Sequence, residues 1–530
     1  MRLFTVLSHS CHCSLLTVYT LQAWKAMKLL VVAEEAVCPT RETEPSISGG
    51  SGGHKTESLS MEESHQTIPH HCLGIKPLGN LYNATEISRN SIGLLAGLSD
   101  EILAIFLEYL DSYKLRLLGS TCKFLYAFCR SDDLWKALFI ESTVSKLGSF
   151  TWQGTWRSTL LNLTREQTSH IACSNVFSDV LYRPFLCTHT SLIPYTTNIP
   201  HSNAIPRIED LTPVEFTEQW SDKPFILTAP VREWPVYQAW DTDVLLSQYG
   251  SVKFRAEAVD WTLNNYVAYM NNSSDESPLY LFDRSFVTKM GLEVNRSDPS
   301  PSYWPPSCFG YDYFAVLGDQ RPDDKWLIVG PARSGSTYHK DPNATSAWNA
   351  VLRGSKYWIM FPSSPSSPPP PGVYVSADQS EVTSPLSIAE WLLGFHAEAR
   401  RTPGCLEGVC GEGEVLHVPS GWWHLVVNLD ASIAITQNFV PKAHLPRVLA
   451  FLKENTADQV SGFRKEVTDP YGMFVERMKA EFPEVLEEAL EQVARKGEGK
   501  RKWQDVARND EQESGGFSFG FGEDSDEEIP

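Results

Sequence analysis

No stretch of this 530-residue chain approaches the roughly 18–20 consecutive apolar residues that a membrane span requires, so no membrane partner is expected. Residues 1–32 are mildly apolar, but His9, Ser10, His12 and Ser14 interrupt any signal-type core. A signal peptide and translation starting at Met27 or Met61 instead both stay open. Positive charge is also short. Against 65 Asp and Glu there are only 45 Lys and Arg, a formal charge of −20. That argues against nucleic acid as the main partner, since general nucleic-acid binders carry a basic footprint. Part of the acid sits in the tail Glu523–Glu528, which leaves room for a local basic patch. The eleven cysteines lack framework spacing, which points to a reducing compartment, nucleus and/or cytoplasm. Cys11 and Cys13 flank His12 like a metal fragment without a second half, and Cys405-x4-Cys410 sits unpartnered in a Gly-rich loop.

What is present is an ordinary globular composition, 42% hydrophobic and 21% charged, over a length that suits several domains. Residues 33–90 are polar and carry Ser48-Gly49-Gly50-Ser51-Gly52-Gly53, so 1–90 is expected to be a disordered N-terminal arm. Helical periodicity begins near residue 92. Ser99 is placed to cap a helix whose first turn holds Asp100 and Glu101, with Ile102, Leu103, Phe106, Leu107 and Leu110 at helical spacing. Three more short helical runs carry Leu115, Leu118, Cys122, Leu125, Phe128, Leu134, Trp135 and Leu138. A small all-α module at 91–142 is expected, or else the helical lobe of a larger domain.

The text Leu98-Ser99-Asp100-Glu101-Ile102-Leu103, Leu107-x2-Leu110, Leu115-x2-Leu118, Cys122-Lys123 and Leu134-Trp135 resembles an F-box. Ser99 departs from it, standing where that family usually has Pro. The resemblance implies binding to the Skp-type adaptor of a cullin–RING ubiquitin ligase.

Residues 143–205 read as a linker. Beyond them Leu211-Thr212-Pro213 caps a short helix running to Trp220, and Pro224–Leu227 reads as a buried strand. Strand-like runs follow at Val252–Phe254, Leu279–Phe282, Trp326–Val329, Ala347–Leu352, Tyr357–Phe361, Val415–Val418, Leu425–Asn428 and Ser432–Thr436. Such short runs, punctuated by Gly, Pro and Ser, suggest a β-sandwich or barrel with helical additions. A stiff Pro-rich loop spans 362–385. C-terminal helices are expected over 443–494, then a charged disordered tail at 495–530. That tail opens with the basic run Arg495, Lys496, Lys500, Arg501 and Lys502, a nuclear signal or a solvated helix end, and Ser525 before Asp526-Glu527-Glu528 reads as an acidophilic-kinase site or as part of a merely solubilising tail.

A His-x-Asp pair answered by a distant His is the ligand pattern of the 2-His-1-carboxylate triad, which leaves positions open on Fe(II). With 14 His and 65 acids in the chain, chance alone supplies about one or two His-x-acid pairs, and two occur. His396-Ala397-Glu398 lies in a helical pattern, where residues two apart point about 200° away from each other. His339-Lys340-Asp341 lies in a strand-like context, where i and i+2 share a face. His424, after the turn Pro419-Ser420-Gly421, opens a β run and supplies the third ligand. Lys356 heads the strand Tyr357–Phe361 as a lone cation, either a solvated strand-end lysine or a partner for a carboxylate, while Asn349 and Thr436 are polar groups among apolar strand residues, where burial obliges them to find partners. Gly330-x4-Gly335-Ser336-Thr337 has P-loop glycine spacing but no Lys, and it leads into a strand.

The surrounding text is similar to the JmjC family, nearest to the phosphatidylserine-receptor type of jumonji protein hydroxylases and demethylases. It comprises Gly330-Pro331-x2-Ser334-Gly335-Ser336, His339-x-Asp341-Pro342, Thr345-Ser346-Ala347-Trp348-Asn349-Ala350, Gly354-x-Lys356-x-Trp358, Val418-Pro419-x-Gly421-Trp422-Trp423-His424 and Ile433–Phe439. The resemblance implies a double-stranded β-helix (cupin, jelly-roll) JmjC domain at 206–442, giving an α+β multidomain chain preceded by the F-box-like module. It implies Fe(II) on His339, Asp341 and His424 as the catalytic set. It implies 2-oxoglutarate held by Lys356, with Asn349, Ser336, Thr436 and Tyr280 around it, and O₂ as second cosubstrate. Ser336 stands where relatives carry Thr, and the hydroxyl is kept. Protein side chains, Lys or Arg, histone-like substrates included, are the implied substrate class, for hydroxylation or demethylation. The competing readings are a non-catalytic F-box adaptor that uses the JmjC fold for binding, and a small-molecule cupin enzyme.

Overall fold

The computed structural model describes residues 68–495, apart from 169, 296, 298, 365–366, 377–380, 386 and 457–459. The sequence up to residue 67, the Cys11/Cys13 pair, the basic run after Arg495 and the acidic tail with Ser525 lie outside the described residues. Two units emerge: a helical one, up to residue 193 with 258–261 and 265–276, and a β-rich one made of 194–257, 262–264 and 277 onward. Among the described residues no single helix is long and apolar enough to cross a membrane. The eight described cysteines are all free.

In the helical unit the sequence punctuation sets the elements. Ser99 accepts the Ile102 N–H at 3.3 Å and starts α1 (Asp100–Glu108); Asp111 does the same for Lys114 at 2.9 Å and starts α2 (Ser112–Leu118). Then come α3 (Lys123–Phe128) and α4 (Asp132–Glu141). Leu103, Leu107, Leu115, Phe124, Phe128, Trp135 and Phe139 form the buried face. The expected linker is not one. It contains α5 (Trp156–Leu161) and α6 (Asp179–His189), and Trp156 is buried against Phe139, Trp261 and Tyr269, its indole donating to Asp275 at 2.7 Å. The expected arm likewise stops short of residue 90. Leu73 and Ile75 are buried, Lys76 N–H donates to Val176 at 3.1 Å, and the Ser88 hydroxyl donates to Asn175 at 2.7 Å. Both segments earn their order from partners about a hundred residues away, which local periodicity does not register.

The β-rich unit is built on two main sheets, beside a two-stranded ribbon of Tyr374–Val375 and Val382–Thr383. The larger runs β1-β2-β10-β7-β12-β5-β4-β3, where β1 is Arg207–Ile208, β2 Phe225–Leu227, β3 Lys253–Ala256, β4 Leu281–Asp283, β5 Lys325–Gly330, β7 Ser346–Arg353, β10 Val415–Val418 and β12 Ser432–Phe439. The smaller runs β9-β8-β11-β6, with β6 Gly335–His339, β8 Lys356–Phe361, β9 Leu406–Cys410 and β11 Trp423–Asn428. From β5 to β12 the chain passes repeatedly between the sheets, the jelly-roll pattern expected of a cupin. Ile226, Val351, Leu416 and Val418 of one sheet share a buried cluster with Trp358, Met360, Cys410 and Val426 of the other. Strand β9 overturns the reading of residues 405–410 as a Gly-rich loop. Glu407 and Gly408 hide its alternation, and Glu407 is buried all the same because Arg400 pairs with it at 2.7 Å. Ser387 caps α7 (Ile388–Ala399). The C-terminal helices α8 (Leu445–Glu454) and α9 (Pro470–Glu481) belong to this same unit: Leu445, Leu449, Leu452, Phe474 and Met478 pack with Phe314, Leu317 and Val440.

Candidate metal centre

His339 closes β6 and His424 lies one residue into β11, and the antiparallel register sets them directly opposite each other. Their rings stand 4.1 Å apart. Asp341 follows on still-extended backbone (φ −61°, ψ 144°), so its side chain returns to the face of His339 two residues earlier. One ligand atom from each of His339, Asp341 and His424 lies within 4.8 Å of the others; among the described residues no other group of His, Cys, Asp and Glu does this.

Local hydrogen bonds prepare the two imidazoles. His339 Nδ1 meets the Thr337 carbonyl at 2.8 Å and His424 Nδ1 meets the Trp422 carbonyl at 3.1 Å. With Nδ1–H donating, Nε2 keeps the lone pair that a metal needs. Burial, and His339 beside it, hold His424 far below its usual range, in the neutral form that ligates. Burial pushes the Asp341 carboxyl up to about 6, against the pull of His339 and a hydrogen bond from Asn438. Asn438 Nδ2 reaches Asp341 Oδ1 at 3.4 Å and Thr345 Oγ1 at 2.9 Å. Asp341 Oδ2 is buried with no hydrogen-bond partner. An orphaned buried carboxylate oxygen beside two imidazoles is a cation site, and the donor set fits Fe(II).

A second polar group answers to an anion. Lys356 opens β8 with no exposure, and its Nζ donates to Tyr280 Oη (2.7 Å), Asn428 Oδ1 (2.7 Å) and Ser432 Oγ (3.1 Å), all neutral acceptors. Burial pushes this ammonium down to about 7. A buried cation with only neutral partners fits the far carboxylate of a 2-oxo acid. Asn349 and Thr436 are register partners on β7 and β12. The Asn349 Oδ1 is also buried without a partner, whereas the Thr436 hydroxyl donates to the Trp348 carbonyl at 2.8 Å. Ser336 on β6 lines a cavity of about 410 Å³ together with His339, Glu257 and Arg333.

The structure thus gathers His339, Asp341 and His424, joins Lys356 to Tyr280, pairs Asn349 with Thr436, and puts Ser336 in a cavity with His339. Asn349 and Thr436 share no hydrogen bond with the Lys356 group. Asn428 and Asn438 lie in the text that resembles the family but receive no role from sequence, and Ser432 is not singled out there; their signal is a polar side chain inside a wholly buried strand. His396 sits in α7, buried and 3.0 Å from the Tyr357 hydroxyl, while Glu398 faces solvent, so the second His-x-acid pair is divided between two helix faces. The P-loop-like glycines lead into β6, a strand. A Ser346–His444–Asp222 chain of hydrogen bonds (2.6 and 3.0 Å) has the order of a hydrolase triad, but Ser346 is fully buried in β7 and serves as structure.

Comparison with known proteins agrees with this geometry. Residues 216–444 match the family model described as a cupin-like domain. The arginine-specific demethylase JMJ22 of Arabidopsis thaliana is 34% identical over 488 residues, covering 89% of this chain and 91% of the relative. The bifunctional arginine demethylase and lysyl-hydroxylase psr-1 of Caenorhabditis elegans is 32% identical, over 46% of this chain and 64% of its own. The 2-oxoglutarate and iron-dependent oxygenase JMJD4 of Homo sapiens is 26% identical, over 48% of this chain and 62% of its own. A β-sandwich with a two-imidazole, one-carboxylate centre, matched along nearly the whole length of one relative, places the chain in the cupin-like JmjC family of iron- and 2-oxoglutarate-dependent oxygenases.

Proposed function

We propose that this oxygenase hydroxylates or demethylates Lys or Arg side chains of proteins, with Fe(II) on His339, Asp341 and His424 and 2-oxoglutarate anchored by Lys356. The observation that carries the reading is the orphaned, buried Asp341 oxygen within 4.8 Å of ligand atoms from both histidines. Relatives named for arginine demethylation and lysyl hydroxylation support the substrate class. When bound, iron and 2-oxoglutarate supply the oxidising power that turns O₂ and a C–H bond into a hydroxyl, with succinate and CO₂ released. The chain's own residues do the holding. Carbonyls of Thr337 and Trp422 fix the imidazole tautomers, Asn438 steers Asp341, and Tyr280, Asn428 and Ser432 aim the Lys356 ammonium. A hydroxyl placed on an N-methyl carbon gives a carbinolamine that collapses to formaldehyde and the demethylated nitrogen, so one site serves both hydroxylation and demethylation. Purified protein given Fe(II) and 2-oxoglutarate is expected to form succinate, and His339→Ala to form none. Equal background from both would sink the enzyme reading in favour of a non-catalytic adaptor. Mass spectrometry of co-purifying proteins for one added oxygen or one lost methyl identifies the substrate.

Helices α1 to α4 support a second proposal, that residues 91–142 are an F-box engaging a Skp-type adaptor. Ser99 caps α1 where the motif begins, and Ile105, Tyr109, Tyr113 and Leu117 present an exposed apolar surface. Co-purification of the adaptor with wild type, and its loss from Ile105→Glu, is the expected result; capture of neither leaves the module without this role. We propose that the protein works in the nucleus and/or the cytoplasm, a reading supported by cysteines that lack the spacing of a disulfide framework.

A further inference from the structure

The helical unit holds a cavity of about 660 Å³ whose charged lining is of one sign. Arg116, Lys123, Arg130 and Arg157 all line it, and no Asp or Glu does. None of the four side chains pairs with a carboxylate of the described residues, in a chain whose net charge is −20. Two of the guanidiniums sit over aromatic rings. Arg130 lies over the Tyr126 ring at 4.1 Å, and Arg157 over the Trp135 ring at 5.3 Å. Both rings are buried, and the Trp135 indole is locked by donating to the Cys129 carbonyl at 2.8 Å. A cation–π contact holds the charge over the ring without using the N–H donors on a carboxylate. Burial, with the charges of Arg130 and Arg116 nearby, pushes Arg157 down to about 10. Gathering like charges in a cavity costs stability, and an anion that enters reverses the sign of that cost.

We propose that this cavity binds a phosphate monoester carried on a protein side chain, phosphoserine or phosphothreonine. A phosphorylated side chain brings nearly two negative charges and three acceptor oxygens, which matches forked donors arranged about one concavity. A nucleic-acid strand needs a basic surface running along its length, whereas the four cations here converge on a single cavity of the helical unit in a strongly acidic chain. The inference rests on the helical unit alone and is independent of the oxygenase chemistry.

The test uses the full chain and a pool of random-flank peptides with a central phosphoserine, set against the same pool unphosphorylated, a pool with glutamate in that place, inorganic phosphate, and a single-stranded oligonucleotide. Wild type is expected to retain the phosphorylated pool at least about tenfold better than the other two pools, and Arg130→Gln with Arg157→Gln to lose that preference. The double variant relieves repulsion, so without ligand it is expected to melt no lower than wild type and to keep its succinate formation, which separates lost binding from lost folding. Arg157→Lys keeps the charge without the fork and is expected to bind in between. Equal retention of the three pools, binding of inorganic phosphate alone, or preference for the oligonucleotide would each overturn the proposal.

Discussion

A buried ammonium group lowers its energy in two ways, by losing its proton or by acquiring an anion. Lys356 shows the first: burial among neutral acceptors pushes it down to about 7. A bound carboxylate brings the second, because it favours the charged form. Binding of 2-oxoglutarate above about pH 7 therefore has to take up a proton, while below that pH the lysine is already charged. Affinity is expected to be flat on the acid side and to weaken as pH rises through 7 towards 9. Titration calorimetry in two buffers of different ionisation enthalpy reads the proton uptake directly, and uptake of none would show that Lys356 does not meet the carboxylate. Lys356→Met, which keeps the apolar stem, is expected to raise the KM for 2-oxoglutarate by about 10- to 100-fold, as for loss of a charge-assisted hydrogen bond. Tyr280→Phe removes one of the neutral acceptors and is expected to have an effect of about fivefold.

Strands and helices hold what the residues use. Gly335 opens β6, and a Cβ there would run into the Val426 carbonyl of β11, the neighbour that carries His424. Gly335→Ala is expected to cost about 1–3 kcal/mol in a thermal melt and to weaken metal binding, because it forces apart the two strands that bear the ligands. Glu407 ties α7 to β8 and β9. Burial alone would raise its carboxyl, but hydrogen bonds involving His396, Arg400 and Tyr357 outweigh that and hold it near 2. The folded form thus binds this proton less readily than the unfolded chain, whose carboxyl titrates near 4.5. Its contribution to stability is complete above about 4.5 and is lost as pH falls towards 2. Glu407→Gln is expected to flatten the fall in melting temperature over that window; an unchanged slope would remove Glu407 from the account. Elements of this kind were legible where the pattern was local. Ser99 announces α1, Val415–Val418 reads as a strand from its apolar run, and His339 with Asp341 shares a face through the period of two. Strand β9 was not legible, since its buried acid is neutralised by Arg400 from beyond the end of α7. Nor were the roles of Asn428 and Asn438, because register brings Asn428 to Lys356, 72 residues away in sequence, and Asn438 to Asp341, 97 away.

The molecule as a whole carries a charge of −20. For a substrate segment rich in Lys or Arg this field favours encounter, and salt screens it beyond about 8–10 Å. With a cationic peptide, kcat/KM is expected to fall as ionic strength rises while kcat holds steady, since screening acts on association rather than on the bound complex. A kcat/KM independent of salt would show that the field plays no part. The register pairing of His339 with His424 has a consequence of another kind. The metal centre depends on which rungs of a ladder face each other and not on how much chain joins them, so the Pro-rich connection after Phe361 is free to grow or shrink across generations while the ligands stay in place. A single residue inserted within β6 or β11 turns every side chain beyond it to the opposite face. Insertions are therefore expected to be tolerated in the connection and not within these strands, and a reporter domain grafted for engineering belongs in the connection.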